Sequence, residues 1–209
     1  LLVELDGTRA SVDAEAPVVE AILHRFKAQS VRSAETPESR AKLWQGRKKA
    51  FGALGRITAD LVVQDAVVPR STLPLILDTI TAIGERHRLL ITNVFHAGDG
   101  NLHPVICYDQ RDPDLRRRAI LASREIMEAC VAAGGTITGE HGVGVEKRDL
   151  MGLQFTEAEL EQQMRVKCAF DPDHRLNPGK MFPELHACAE LSKVHVHRGQ
   201  FRFPELPRL

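Results

Sequence analysis

Two histidines, His96 and His103, bracket the tetrapeptide Ala97-Gly98-Asp99-Gly100 within NVFHAGDGNLHP. The flanking runs LLITNVFH and NLHPVICYD read as strands, and the glycine-rich tetrapeptide closes them into a hairpin. Facing side chains on paired strands lie about 5 Å apart, close enough for two imidazoles to share one ion. Neutral imidazoles suit zinc- or manganese-type divalent ions, with a carboxylate as third ligand and a position left open for substrate. Asp99 is near in sequence, but an aspartate between glycines is also ordinary turn chemistry.

A second stretch, TGEHGVG at 138–144, supplies a better carboxylate. Neighbouring residues in extended backbone point in different directions, so Glu140 can reach a metal while His141 faces a substrate carbon. A histidine titrating near neutrality suits removal of a hydroxyl proton as hydride leaves the same carbon, the chemistry of a 2-hydroxy acid. A metal there polarises the hydroxyl and lowers the cost of the developing alkoxide. The competing reading is that His96 and His103 are hydrogen-bonded strand residues of an inactive structural domain. Another is that TITGEHGVG cradles an anion, in a non-catalytic metal- or anion-binding module. Its glycines do not fit GxGxxG, and no GxxxxGK[ST] occurs, so nucleotide binding gains no support. Arg47, in LWQGRKK, is the basic residue suited to a bidentate grip on a substrate carboxylate; the plainer alternative is a solvated helix face shared with Lys48 and Lys49.

The elements that must position these residues follow from periodicity. LLVELDG at 1–7 suits a short strand and turn. Val18, Val19, Ile22, Leu23 and Phe26 make one apolar helix face over 15–29, and Pro37 opens a second helix carrying Leu43, Trp44, Phe51 and Leu54. LVVQDAVVP at 61–69 reads as a strand stopped by proline, and 72–87 as a helix. A long helix over about 114–132 stops at Gly134-Gly135, and another spans about 156–169. The prolines of FDPDHRLNPGKMFP rule out a regular element. This order predicts an α+β fold, a mostly antiparallel sheet with helices packed on one face. One domain over 1–183 and an irregular tail over 184–209 are expected.

Composition narrows the partners. The 209 residues hold 28 basic and 28 acidic side chains, so no net field gathers nucleic acid or an anionic membrane surface. The four cysteines are scattered without a CxxC pair, which argues against thiolate-held zinc or an iron–sulfur cluster and for reduced thiols. No apolar run reaches the roughly 20 residues of a membrane span, and a cytoplasmic setting is expected. The chain opens without methionine on a strand-like run, as a piece cut from a longer chain would.

Taken in order, LWQGRKKA at 43–50, VVP and LP within 67–74, FHAGDGNLHP at 95–104, GGTITGEHGVGVEK at 134–147 and DPDHRLNPGKMFP at 171–183 resemble the C-terminal domain of the FAD-linked oxidases, in particular the glycolate oxidase flavoproteins and D-2-hydroxy-acid dehydrogenases. The resemblance implies a metal on His96, His103 and Glu140, His141 as general base, Arg47 on the substrate carboxylate, and Asn177 and Lys180 on the cofactor side. It implies FAD as hydride acceptor, with flavin-type and iron–sulfur partner subunits holding the enzyme at the inner face of the membrane. The resembled enzymes bind FAD through a larger N-terminal domain, so a chain without one is expected to hold little FAD and to turn over nothing by itself. The continuation HPVI points to glycolate among the hydroxy acids.

Overall fold

The computed structural model describes residues 1–183; the sequence-predicted tail over 184–209 lies outside the described residues. These residues fall into two compact units divided after Ile57.

The first unit holds α1 (Arg9–Arg25), α2 (Pro37–Lys48) and α3 (Ala50–Leu54). Thr8 caps α1 through a hydrogen bond from the Ser11 amide, so the helix starts well before the apolar face that announced it and also ends earlier, at Arg25. Pro37 sits in the first turn of α2 behind a reciprocal Thr36–Ser39 capping box. Leu1–Leu5 is not a strand, contrary to its alternation: a strand needs a ladder partner, and none pairs with it among the described residues. Trp44, expected as core, is half-buried and donates from Nε1 to Glu4 Oε2 at 2.7 Å.

The second unit is built on β4 (Asn101–Tyr108). β3 (Leu90–His96) pairs with one side of it, antiparallel, across the tetrapeptide loop. β1 (Asp60–Val63) and β2 (Ala66–Val67) pair antiparallel with the other side, where one longer strand was expected. Both keep one register, Val63 opposite Val105 and Ala66 opposite Leu102, which puts Gln64 opposite Pro104 and Asp65 opposite His103. The break has a covalent cause: Pro104 has no N–H to give the ladder. Gln64 still donates its amide to the Pro104 carbonyl at 2.8 Å.

Alternation along β4 sends Leu102 and Ile106 to one face and His103, Val105 and Cys107 to the other. α4 (Leu73–His87) and α5 (Pro113–Ala132) cover the first face with Ile76, Ile80 and Ile83 and with Ala119, Ala122, Ile126 and Cys130, helical stripes that fuse with Leu102 and Ile106 into one core. Asp112 caps α5 through the amides of Asp114 and Leu115. The architecture is the expected α+β arrangement, a small antiparallel sheet with helices on one face. After α5 come α6 (Gly144–Lys147), a 3₁₀ segment, and α7 (Glu157–Phe170), opened by a Thr156–Glu159 capping box. Cys107 and Cys130 are free buried thiols, Cys130 pushed up to about 12 by burial, whereas Cys168 is disulfide-bonded and departs from the all-reduced expectation. No helix of the described residues is long and apolar enough to cross a membrane.

Candidate metal centre and its supporting loop

The hairpin loop is tight because it must pass the neighbouring strand. Gly100 has φ +74°, and a Cβ there would stand 2.2 Å from the Val68 carbonyl oxygen, so glycine alone fits. The turn returns the chain in a register where His96 faces Asn101, leaving His96 and His103 diagonal to one another on the face away from the helices. Their ring centroids are 5.6 Å apart.

His103 is 3% exposed. Its Nδ1 lies 3.1 Å from the carbonyl oxygen of Val94, the residue directly opposite. A carbonyl only accepts, so Nδ1 carries the proton and Nε2 presents its lone pair. Burial holds this imidazole below its ordinary pKa, and His141 acts in the same direction against Asp65 and Glu140, which keeps the ring neutral. Nε2 lies 3.0 Å from Glu140 Oε1 yet makes no hydrogen bond. Two lone pairs at that spacing in a buried setting fit two ligands of one cation.

Among the described residues the ligating atoms of His96, His103 and Glu140 lie within 4.8 Å of one another. Two imidazoles and a carboxylate are a donor set for zinc or manganese, and the orphaned His103 Nε2 is the atom that fits a bound ion. His141, the next residue, stacks its ring on His103 with centroids 4.9 Å apart and planes 26° apart, and its Nε2 is 3.8 Å from Glu140 Oε1. Its side chain is half-exposed, so it flanks the cluster and remains open to a ligand.

The loop that carries Glu140 and His141 is held from beneath by residues outside the glycine-rich motifs. Thr136 bridges to Val67, donating its amide to the Val67 carbonyl at 2.8 Å, and the chain then crosses Asp65. Asp65 Oδ2 accepts from Thr138 Oγ1 at 2.8 Å and from the amides of Gly139, Glu140 and His141 at 2.8, 3.0 and 2.9 Å. Burial opposes ionisation of this carboxyl, but the four donors outweigh it and set its pKa at about 2. Buried Lys147 donates to the Asp65 carbonyl at 2.5 Å, with its Nζ 3.7 Å from Oδ2. The signal was present in LVVQDAVVP: a carboxylate inside an apolar run is buried, and a buried charge needs partners.

The other residues singled out from sequence are placed as follows. Arg47 is partly buried on α2, in the first compact unit. Asn177, at φ 47°, and Lys180 are exposed in the irregular stretch after α7, where the Lys180 amide donates to the Asn177 carbonyl at 3.2 Å. Asp99 is exposed in the hairpin loop and lies outside the ligand cluster.

Residues 1–181 match the family described as FAD linked oxidases, C-terminal domain. The chain belongs to this family. Glycolate oxidase subunit GlcD of Escherichia coli K12 is 46% identical over 208 residues, covering 100% of this chain and 42% of the relative. The Bacillus subtilis 168 subunit of the same name is 39% identical over 182 residues, covering 87% of this chain and 39% of its own length. D-lactate dehydrogenase (cytochrome), mitochondrial, of Arabidopsis thaliana is 31% identical over 190 residues, covering 90% and 33%. The chain thus spans about two fifths of the length of the glycolate oxidase relatives it matches.

Proposed function

We propose that this FAD-linked oxidase C-terminal domain is the substrate- and metal-binding half of an FAD-dependent 2-hydroxy-acid dehydrogenase, with glycolate as its substrate. The observation that carries the reading is the buried, unpartnered Nε2 of His103 set against Glu140 and His96. The 46% identity to a glycolate oxidase subunit supports the choice of substrate.

His96, His103 and Glu140 hold a divalent ion, zinc or manganese, which supplies Lewis acidity to the substrate hydroxyl. Arg47 pairs with the substrate carboxylate through its guanidinium fork. His141 takes the hydroxyl proton on an imidazole nitrogen, and its stacking on His103 limits the ring's freedom to turn away. FAD, when bound, supplies the acceptor for the hydride from C2, and a 2-oxo acid remains. Asn177 and Lys180 contact the cofactor. Relatives named as subunits support association with further chains; on the family resemblance these partners are flavin-type and iron–sulfur subunits at the cytoplasmic side of a membrane.

The test is turnover by the enzyme as the cell makes it, with glycolate, D-lactate and D-2-hydroxyglutarate and an artificial electron acceptor. Glycolate gives the highest kcat/KM. Preference for another 2-hydroxy acid overturns the substrate assignment. Retained metal with no turnover of any hydroxy acid overturns the enzyme reading in favour of a binding module.

A further inference from the structure

We propose that Asp65 is the positioning residue of the metal centre: it ligates nothing itself but fixes the 138–141 loop, and so sets how tightly the chain holds a divalent cation. The inference rests on the metal reading above.

Three consecutive amides and one hydroxyl converge on Asp65 Oδ2, so the backbone directions from which Glu140 and His141 leave the loop are set by a single oxygen. Asp65 is fully buried, and no solvent competes for those donors. Gly139 lets the loop lie this low: a Cβ there would stand 2.6 Å from Val67 Cγ2 and 3.0 Å from Asp65 Oδ1. Lys147 offsets part of the buried charge and pins the Asp65 backbone from the other side.

The second oxygen acts on the site directly. Oδ1 is buried with no hydrogen-bond partner and lies 3.9 Å from His103 Nε2, across the strand pair from Asp65. Two acceptor atoms facing each other in a dry site are unfavourable until positive charge arrives between or beside them. Asp65 therefore contributes twice, by aiming Glu140 and by adding negative potential at the atom that Glu140 is aimed towards. Supporting carboxylates of this sort alter metal affinity by roughly 10–100-fold when replaced.

The experiment is calorimetric titration of Zn²⁺ and Mn²⁺ into the full chain, with urea midpoints measured alongside. The samples are wild type, Asp65→Asn, Thr138→Val, Glu140→Gln and the Asp65→Asn/Glu140→Gln double variant. Asp65→Asn keeps the shape, loses the charge and turns an amide group towards either the loop or His103; its affinity falls roughly 10–100-fold. Thr138→Val removes one of the four donors to Asp65, a hydrogen bond to a buried carboxylate, and weakens binding roughly 10-fold with a modestly lower urea midpoint. The double variant loses less than the product of the two single losses, because the larger part of the Asp65 effect acts by aiming Glu140 and only its negative potential at His103 survives that ligand's removal. Losses that multiply in the double variant, or wild-type affinity in both Asp65→Asn and Thr138→Val, overturn the proposal while leaving the metal reading intact. If Asp65→Asn does not fold, Thr138→Val decides the matter. A wild-type chain that binds neither ion overturns the metal reading and this one together.

Discussion

His103 is anchored through Nδ1 to the carbonyl opposite it and turns its Nε2 towards Glu140 Oε1, 3.0 Å away, with no hydrogen bond between them. One comes from the strand after the hairpin loop and the other from the loop after α5, and Asp65, opposite His103 in the register, holds that loop by its amides.

The hairpin turn has no room for a side chain. Gly100→Ala places a methyl group 2.2 Å from the Val68 carbonyl oxygen at φ +74°. The expected cost is about 2–4 kcal/mol, from the left-handed backbone and the clash together. Urea denaturation checks it; a midpoint equal to wild type would mean that the loop relaxes freely.

Leu102 stands between Asn101 and His103 in β4 but points the opposite way, fully buried among the core side chains of α4 and α5. Leu102→Ala removes about 2–5 kcal/mol of stability. Chemical denaturation gives the figure, and a loss under 1 kcal/mol would show that the helix layer collapses into the space.

Acid sensitivity has a defined contributor at the end of α7. The Lys167 ammonium beside Asp171 holds its carboxyl below the ordinary value, with burial opposing and the Leu176 and Arg175 amides assisting. The folded state therefore binds this proton less readily than the unfolded state. Its stabilisation is present above the unfolded value near 3.8 and is lost as pH falls through the lower folded value. Denaturation midpoints of wild type and Asp171→Asn measured from pH 6 to pH 2 converge towards the acid end. A constant difference across that range would contradict the assignment.

The proton transfer predicts a division of kinetic effects. His141→Asn lowers kcat by roughly 10²–10⁴ with little change in KM. Arg47→Ala acts mainly on KM, because it removes a grip on the substrate's carboxylate. Steady-state kinetics on the intact enzyme separate the two, and an unchanged kcat for His141→Asn would remove it from the chemistry.

The sequence revealed most where local chemistry decides structure. The turn glycines, the Pro37 helix start and the stripes of α4 and α5 are all readable as pattern, and the hairpin follows from AGDG between two apolar runs. Pattern failed where the outcome depends on a distant partner. Leu1–Leu5 alternates like a strand, but alternation does not supply a ladder, and the split of LVVQDAVVP is dictated by Pro104 on another strand. Asp65 and Lys147 escaped notice for the same reason: a lone buried charge is visible in sequence, but the three amides that satisfy it lie more than seventy residues away.

The most direct test of the account is metal content per chain, by plasma mass spectrometry on tag-free protein at near-neutral pH, compared with the His96→Ala/His103→Ala variant. About one zinc or manganese per wild-type chain is expected, the ratio that a single three-ligand site holds, and its loss in the variant. A wild-type chain free of divalent metal after exposure to both ions, or a variant that retains it in full, would contradict the account.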